Sequence, residues 1–201
     1  MSSRIFRDGS GPLYPNDGVS LALSAPRPQA PDFRAVFEAE FSYVFNTLHR
    51  LGVRRPDLED LTHEVFVAVH RALADYDPAR PLRPWLFGIA FRVASDDRRR
   101  AHHRREAPGD HAAEAADARP PADEVLASAQ ARQLLLEALD EVELDRRAVL
   151  VLHEIDGHSV PEVALALSIP VNTAYSRLRL GLVDLRAAVK RLRSQIGRAH
   201  V

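Results

Sequence analysis

Apolar residues along this chain recur every three or four positions, and no segment shows the alternation typical of a β-strand. In the first half this spacing predicts three helices: one from Asp32, an N-cap residue, to Gly52, a second over 57–73, and a third over 84–102. Their inward stripes are Phe33, Val36, Phe37, Phe41, Val44, Phe45 and Leu48; Leu58, Leu61, Val65, Val69 and Leu73; and Trp85, Leu86, Ile89, Ala90 and Val93. The chain is therefore predicted to be all-α.

In the second half, residues 159–180 have the pattern of a helix-turn-helix. Ser159 and Glu162 have the spacing of a capping box, which predicts a helix start. Ser168-Ile169-Pro170 ends that helix, and a second amphipathic helix follows and continues through Leu192. The positions expected on the shared core are Val163, Ala164, Leu167, Ala174 and Leu178. The small side chain of Ala164 would let the two helices cross closely.

Composition divides the chain into two small helical domains, 32–105 and 124–201. Residues 1–31 are rich in proline and glycine and lack hydrophobic periodicity, which predicts a disordered N-terminal arm. Residues 106–123 are rich in alanine, aspartate and proline, which predicts a flexible acidic linker. Further helices in the second domain are predicted over 125–139 and 145–154.

Charge is distributed unevenly, although the formal net charge is only −1. Residues 92–105 hold six arginines against two aspartates, and 171–201 hold seven basic residues against one aspartate. The acidic stretch 106–124 separates them. Two basic segments predict contact with DNA at two places, and the alternative for each segment is a solvated helix surface.

Cysteine is absent, which excludes disulfides and thiolate metal sites, and no apolar run approaches the roughly eighteen residues of a membrane span. A cytoplasmic protein without membrane contact is expected. His153-Glu154 and His158 suggest the zinc motif HExxH, but their spacing keeps the two imidazoles off one helical face. No phosphate loop or catalytic triad is present, so we expect no enzyme, metal, cofactor or small-molecule substrate.

Three motifs, in this order, make the chain resemble an RNA polymerase sigma factor of the extracytoplasmic-function (ECF) group. They are DLEDLTHEVFVAVHRAL (57–73), RPLRPWLFGIAFRVASDDRRR (80–100) and LDRRAVLVLHEIDGHSVPEVALALSIPVNTAYSRLRL (144–180). They are similar to the family's helix that binds core polymerase, its promoter-melting helix and its upstream-element domain. The resemblance implies a promoter-specificity subunit whose partners are core RNA polymerase and promoter DNA, with an anti-sigma protein as a candidate further partner.

The resemblance also implies site residues in the first domain. Contact with core polymerase is expected from Asp60 and Glu64, with Leu61, Val65 and Phe66 either adding apolar contact or staying in the core. Recognition and melting of the downstream promoter element are expected near Trp85, Arg92, Asp96, Arg98, Arg99 and Arg100. The chain departs from the family at His63, where glutamine is usual, and at Phe91-Arg92, where Arg-Asn is usual.

Upstream promoter contacts are expected on the outer face of the last helix, from Asn172, Thr173, Tyr175, Ser176, Arg177 and Arg179. Tyr175, Leu180 and Leu182 stand where the family usually has basic residues, and each missing phosphate contact lowers the salt dependence of binding by about one unit of slope. Ser168 stands where glycine would suit a positive φ. We therefore expect the second domain, residues 124–201, to bind DNA weakly by itself.

Two other functions fit parts of the pattern. A stand-alone helix-turn-helix regulator would bind duplex DNA and ignore polymerase. A sigma-like decoy would bind an anti-sigma protein and never initiate transcription.

Overall fold

The computed structural model describes the backbone of residues 31–106 and 123–199, with side chains over 31–102 and 129–195. The described part contains seven α-helices and no strand, which confirms the all-α prediction. The predicted arm 1–31 and linker 106–123 lie almost entirely outside it. We refer to α1–α3 as the amino-terminal unit and to α4–α7 as the carboxy-terminal unit.

Helix α1 covers Phe33–Arg50 and begins where Asp32 accepts a hydrogen bond of 3.1 Å from the Ala35 N–H. It ends before Gly52, which has a φ of 89°. The four phenylalanines of its stripe are half-buried and pack against the core as a row of neighbouring rings. The rest of the stripe, including Val44 and Leu48, is fully buried.

The amino-terminal unit is completed by α2, Leu58–Ala72, and α3, Leu82–Glu106. One-turn 3₁₀ helices precede and follow α2, at Arg55–Asp57 and Leu73–Asp75. The three helices pack around an apolar core because each has one apolar stripe. Its fully buried members include Val65, Val69, Leu86, Phe87 and Ala90.

The carboxy-terminal unit consists of α4, Asp123–Asp140; α5, Leu144–Leu150; α6, Val160–Ala166; and α7, Val171–Ala199. A π-helical turn, Val151–Ile155, follows α5 directly. The helix predicted over 145–154 therefore changes its hydrogen-bonding pattern halfway. Helices α6 and α7 form the predicted helix-turn-helix.

The local features expected of the helix-turn-helix are present. The Glu162 carboxylate accepts hydrogen bonds of 2.8 Å from the Ser159 N–H and 2.7 Å from its hydroxyl, and these bonds lower the pKa of Glu162. Ala164 and Ala174 are buried where the two helices cross. Ser168 has a φ of 55°, the left-handed conformation expected at the turn. Glycine would adopt it without steric cost.

The two units pack against each other, which the sequence did not predict. Leu139, Val149, Leu152 and Val163 of the carboxy-terminal unit belong to the same buried cluster as the amino-terminal core. Helix α3 contacts α6, and α1 contacts α4. The larger buried cluster of the described chain therefore runs through both units, and a smaller one lies where α6 and α7 cross. Among the described residues, no helix is both long and apolar enough to cross a membrane.

Candidate nucleic-acid and polymerase interfaces

The outer face of α7 is arranged as the helical spacing predicts. Ala174 and Gly181 are buried against the rest of the unit, which turns the opposite face outward. The predicted DNA-binding residues on that face are exposed (Asn172, Tyr175, Ser176 and Arg179), except that Thr173 and Arg177 are half-buried. Three exposed positions on this face are occupied by large apolar residues, Tyr175, Leu180 and Val183. Much of the face is therefore uncharged.

Arg177 and Arg179 differ in their surroundings. The Arg177 guanidinium donates a hydrogen bond to the Asp145 carboxylate at the start of α5. No acid in the described part of the chain is paired with Arg179, which points into solvent. Arg179 is therefore available to a phosphate or a guanine at once, whereas Arg177 must first exchange its carboxylate partner.

The basic residues of α3 lie on an exposed surface. Arg92, Arg98, Arg99 and Arg100 are all exposed, as is Asp96, and Arg99 is paired with Asp96 one turn away. Nη2 of Arg100 lies 3.2 Å from the carboxylate of Glu64 on α2. One predicted DNA-binding residue is thus paired with a predicted polymerase-binding residue. At roughly half exposure on both sides this ion pair is weak, so either partner can be released.

Trp85 is half-buried at the start of α3 and packs on the amino-terminal core. Its ring lies 4.7 Å from the ring of Tyr76, centroid to centroid, at an angle of 48°. Tyr76 itself donates a hydrogen bond to the carbonyl oxygen of Arg80, and its burial raises the pKa of its hydroxyl. In this arrangement Trp85 serves the packing of the loop before α3, which leaves only part of its ring for an unpaired base.

The predicted polymerase-binding residues on α2 divide into two groups. Asp60 and Glu64 are exposed on an acidic face. Leu61, Val65 and Phe66 are 6%, 0% and 2% exposed, so they lie in the core, which is the second of the two positions expected for them. The Phe66 ring is held there by the Phe37 ring, 4.7 Å away between centroids.

The exposed large apolar residue of α2 is Val67, at 49% exposure. It was not among the predicted contacts. The helical spacing places both Phe66 and Val67 at the edge of the buried stripe. Phe66 is buried because it packs against α1, and Val67 is left exposed. Sequence spacing alone could have named Val67 as one of two candidates.

The tertiary structure brings residues of both basic segments next to Glu143 and Asp145, at the start of α5. A cleft between α3 and the start of α5 is lined by Ser95, Arg98, Arg99, His102, Glu143, Leu144 and Asp145. An adjoining cleft is lined by Glu143, Asp145, Arg146, Asn172, Thr173, Ser176, Arg177 and Leu180. Glu143 also caps α5, accepting from the Asp145 N–H at 3.1 Å. Nothing in the sequence predicted that these residues would meet.

Comparisons with known proteins agree with both halves of this arrangement. The family model Sigma-70 region 2 matches residues 36–105, and Sigma-70, region 4 matches residues 132–185. The ECF RNA polymerase sigma factor SigE of Mycolicibacterium smegmatis is 32% identical over 145 residues, which is 71% of this chain and 56% of SigE. The RNA polymerase sigma factor CnrH of Cupriavidus metallidurans is 31% identical over 143 residues, 68% of this chain and 75% of CnrH.

Solved structures show the same architecture. CnrH in complex with the cytosolic domain of CnrY superimposes with a TM-score of 0.54 at 25% identity, covering 79% of this chain and 88% of CnrH. The sigma factor RpoE of Bartonella quintana, in complex with the anti-sigma factor NepR, gives a TM-score of 0.62 at 18% identity, covering 79% of this chain and 97% of RpoE.

The chain therefore belongs to the sigma-70 family of RNA polymerase subunits. Within that family it is a sigma factor of the ECF group, as the three sequence motifs indicate. It confers promoter specificity on bacterial RNA polymerase and promotes transcription initiation. Sigma factors are transcription factors and not enzymes.

Proposed function

We propose that three separate surfaces divide the work of this sigma factor. The acidic face of α2, with Asp60 and Glu64, binds basic residues of core polymerase in the cytoplasm. The exposed basic end of α3 holds the melted strand of the downstream promoter element, and the outer face of α7 contacts the upstream element. Residues 32–105 and 124–201 are the two functional domains.

One observation supports this division above the others: the carboxylates of Asp60 and Glu64 are exposed, while Leu61, Val65 and Phe66 on the same helix are buried. A folded helix that turns charge outward on one face and buries its other face is ready to bind without rearrangement. Val67 adds an apolar contact beside the two carboxylates. Exposed carboxylates contribute little to stability, so the face can be altered without loss of the fold.

An in vitro test uses Asp60→Ala combined with Glu64→Ala, compared with Glu38→Ala combined with Glu137→Ala. The control pair removes two exposed carboxylates from α1 and α4, outside the proposed surface. Affinity for core polymerase should fall at least tenfold for the first pair and stay unchanged for the second, with equal helix content by circular dichroism. Run-off transcription should fall in parallel.

Normal core affinity in the α2 variant would remove this assignment. Binding of duplex promoter DNA by the wild-type chain, with no affinity for core polymerase, would favour a stand-alone regulator instead. Binding of an anti-sigma protein without run-off transcription in the presence of core enzyme would favour a decoy.

A further inference from the structure

The charged residues of α7 lie in two rows on different sides of the helix. With Ala174 at 0° and about 100° per residue, the first row lies at about 260–300°. This row faces the junction between α4 and α5, where each of its members is paired with an opposite charge. The pairs are Arg177–Asp145, Arg146–Asp184 and Arg191–Glu141.

The second row lies at about 100–160° and is entirely basic. It consists of four exposed side chains, Arg179, Arg186, Lys190 and Arg193. Over the described part of the chain, no acid is paired with any of them. Asp184, the one acid between 171 and 201, belongs to the first row. The second row is therefore a strip of uncompensated positive charge, which we call the basic strip.

Such a strip is unfavourable for a helix by itself. Arg186 and Lys190 are four residues apart, so their charges are neighbours on the helix surface and repel each other. The helix dipole favours cations only within about the last turn. Since α7 ends at Ala199, both residues lie well before that turn. Neither a local partner nor the dipole offsets their charge, so an anion outside the chain is the partner that would.

The basic strip continues the surface that is proposed to contact the upstream promoter element. From Asn172 to Arg179 the helix axis advances about 10 Å, close to the roughly 12 Å width of the major groove. When these first turns occupy the groove, the residues after them pass over the backbone at its edge. Arg186 lies about 10 Å beyond Arg179, and Lys190 about 6 Å further.

We propose that Arg186 and Lys190 bind backbone phosphates of duplex DNA beside the upstream element, through their charge and without reading the sequence. The inference rests on the proposed function of the outer face of α7. Arg193 lies about 21 Å beyond Arg179 and is turned about 80° from the centre of that face, so it stays outside the contact. Because phosphates carry no base information, the two residues strengthen binding to every sequence equally.

The first test is the salt dependence of DNA binding by holoenzyme formed with saturating core polymerase. Filter binding measures affinity between about 50 and 200 mM salt for a promoter fragment and for one with a scrambled upstream element. Arg186→Ala combined with Lys190→Ala is compared with Arg132→Ala combined with Arg193→Ala. The control pair removes the same charge from exposed positions outside the contact. Arg186→Lys combined with Lys190→Arg keeps both charges.

The double alanine variant in the strip should lower the salt slope by about two, since each phosphate contact contributes about one. The advantage of the wild type over this variant should then shrink about tenfold between about 50 and 200 mM salt, equally on both fragments. The control pair and the charge-keeping variant should both retain the wild-type slope.

Lys190 also allows the contact to be detected directly, because it is the only lysine in the chain. An amine-reactive ester acetylates its amine, and mass spectrometry measures the rate. In the holoenzyme, either DNA fragment should slow this acetylation several-fold at low salt. The protection should weaken as the salt concentration rises, since salt screens the contact and competes for the phosphates.

An unchanged salt slope in the Arg186→Ala, Lys190→Ala variant, or an unprotected Lys190 in the DNA complex, would overturn the inference. An unchanged slope with a loss of core-polymerase affinity would also overturn it, and would assign the strip to an acidic protein surface. Arg179→Ala, measured alongside, tests the proposed function separately. An effect of Arg179→Ala without one from the double variant would leave the upstream contact in place and remove the flanking one.

Discussion

The proposed polymerase-binding surface on α2 and the proposed DNA-binding surface on α7 differ in how many of their side chains already have partners within the chain. On α2, Asp60 is exposed, and Glu64 is paired with Arg100 in an ion pair that is about half exposed. On α7, Arg177 is bound to Asp145, and apolar Tyr175 and Leu180 occupy exposed positions. Each surface therefore has one residue ready to bind, Asp60 on α2 and Arg179 on α7, but Arg177 on α7 must give up a less exposed ion pair than Glu64 does. Such a difference favours polymerase binding first and upstream recognition second.

The packing between the units also changes how this difference should be tested. Weak DNA binding by residues 124–201 alone remains a prediction, but a fragment would expose Leu152 and Val163, which are buried in the shared core. Loss of binding by the fragment could then reflect misfolding. The full chain, with single substitutions, gives a cleaner comparison.

The largest expected effect tests whether the two units are energetically one body. Leu152→Ala, at a fully buried position in the carboxy-terminal unit, should lower the free energy of unfolding by about 2–5 kcal/mol. Because the larger buried cluster runs through both units, the change should appear in the urea transition followed by the fluorescence of Trp85, the only tryptophan, in the other unit.

Val67→Ala, at a position 49% exposed, is the control and should change the transition little. If Leu152→Ala leaves the Trp85 transition unchanged while a separate transition moves in circular dichroism, the units unfold independently. The amino-terminal and carboxy-terminal units would then be two energetically separate domains.

A smaller effect separates the two arginines of the recognition helix. Arg179→Ala should cost the holoenzyme about 1–3 kcal/mol of promoter affinity if Arg179 contacts a guanine, or lower the salt slope by about one if it contacts a phosphate. Arg177→Ala should cost less, because its guanidinium already has a carboxylate partner. Arg193→Ala, farther along α7, serves as the control for a general loss of charge.

Filter binding of a promoter fragment over a range of salt concentrations measures both quantities. A larger loss from Arg177→Ala than from Arg179→Ala would mean that the pair with Asp145 breaks on DNA without cost. The α7 surface would then bind DNA as readily as the α2 surface binds polymerase.

The smallest effect concerns the turn of the helix-turn-helix. Ser168→Gly should stabilise the chain by about 0.5–1 kcal/mol, since relief of the left-handed strain exceeds the entropy that glycine adds to the unfolded state. The increase should appear as a higher Tm. Ser168→Ala keeps the Cβ atom and should give no gain, and an equal gain from both would show that the strain is not at this φ.

Much of the local structure could be predicted because it depends on neighbours in the chain. The caps at Asp32 and Ser159, the stop at Gly52 and the positive φ of Ser168 all follow from steric and hydrogen-bonding rules within a few residues. The apolar stripes predicted the buried faces. The sequence was ambiguous where two residues shared the edge of a stripe, as with Phe66 and Val67, because packing against α1 decides between them.

The sequence by itself determined the helices, the helix-turn-helix, the family and the candidate residues on each face, because short-range periodicity and motif order carry that information. Only the tertiary structure decided that Asp156 meets Tyr43 and Arg50, more than a hundred residues away in the chain. The same holds for the residues of both basic segments that lie next to Glu143 and Asp145. These contacts depend on how two apolar surfaces fit together, and a pattern of hydrophobic positions does not specify that fit.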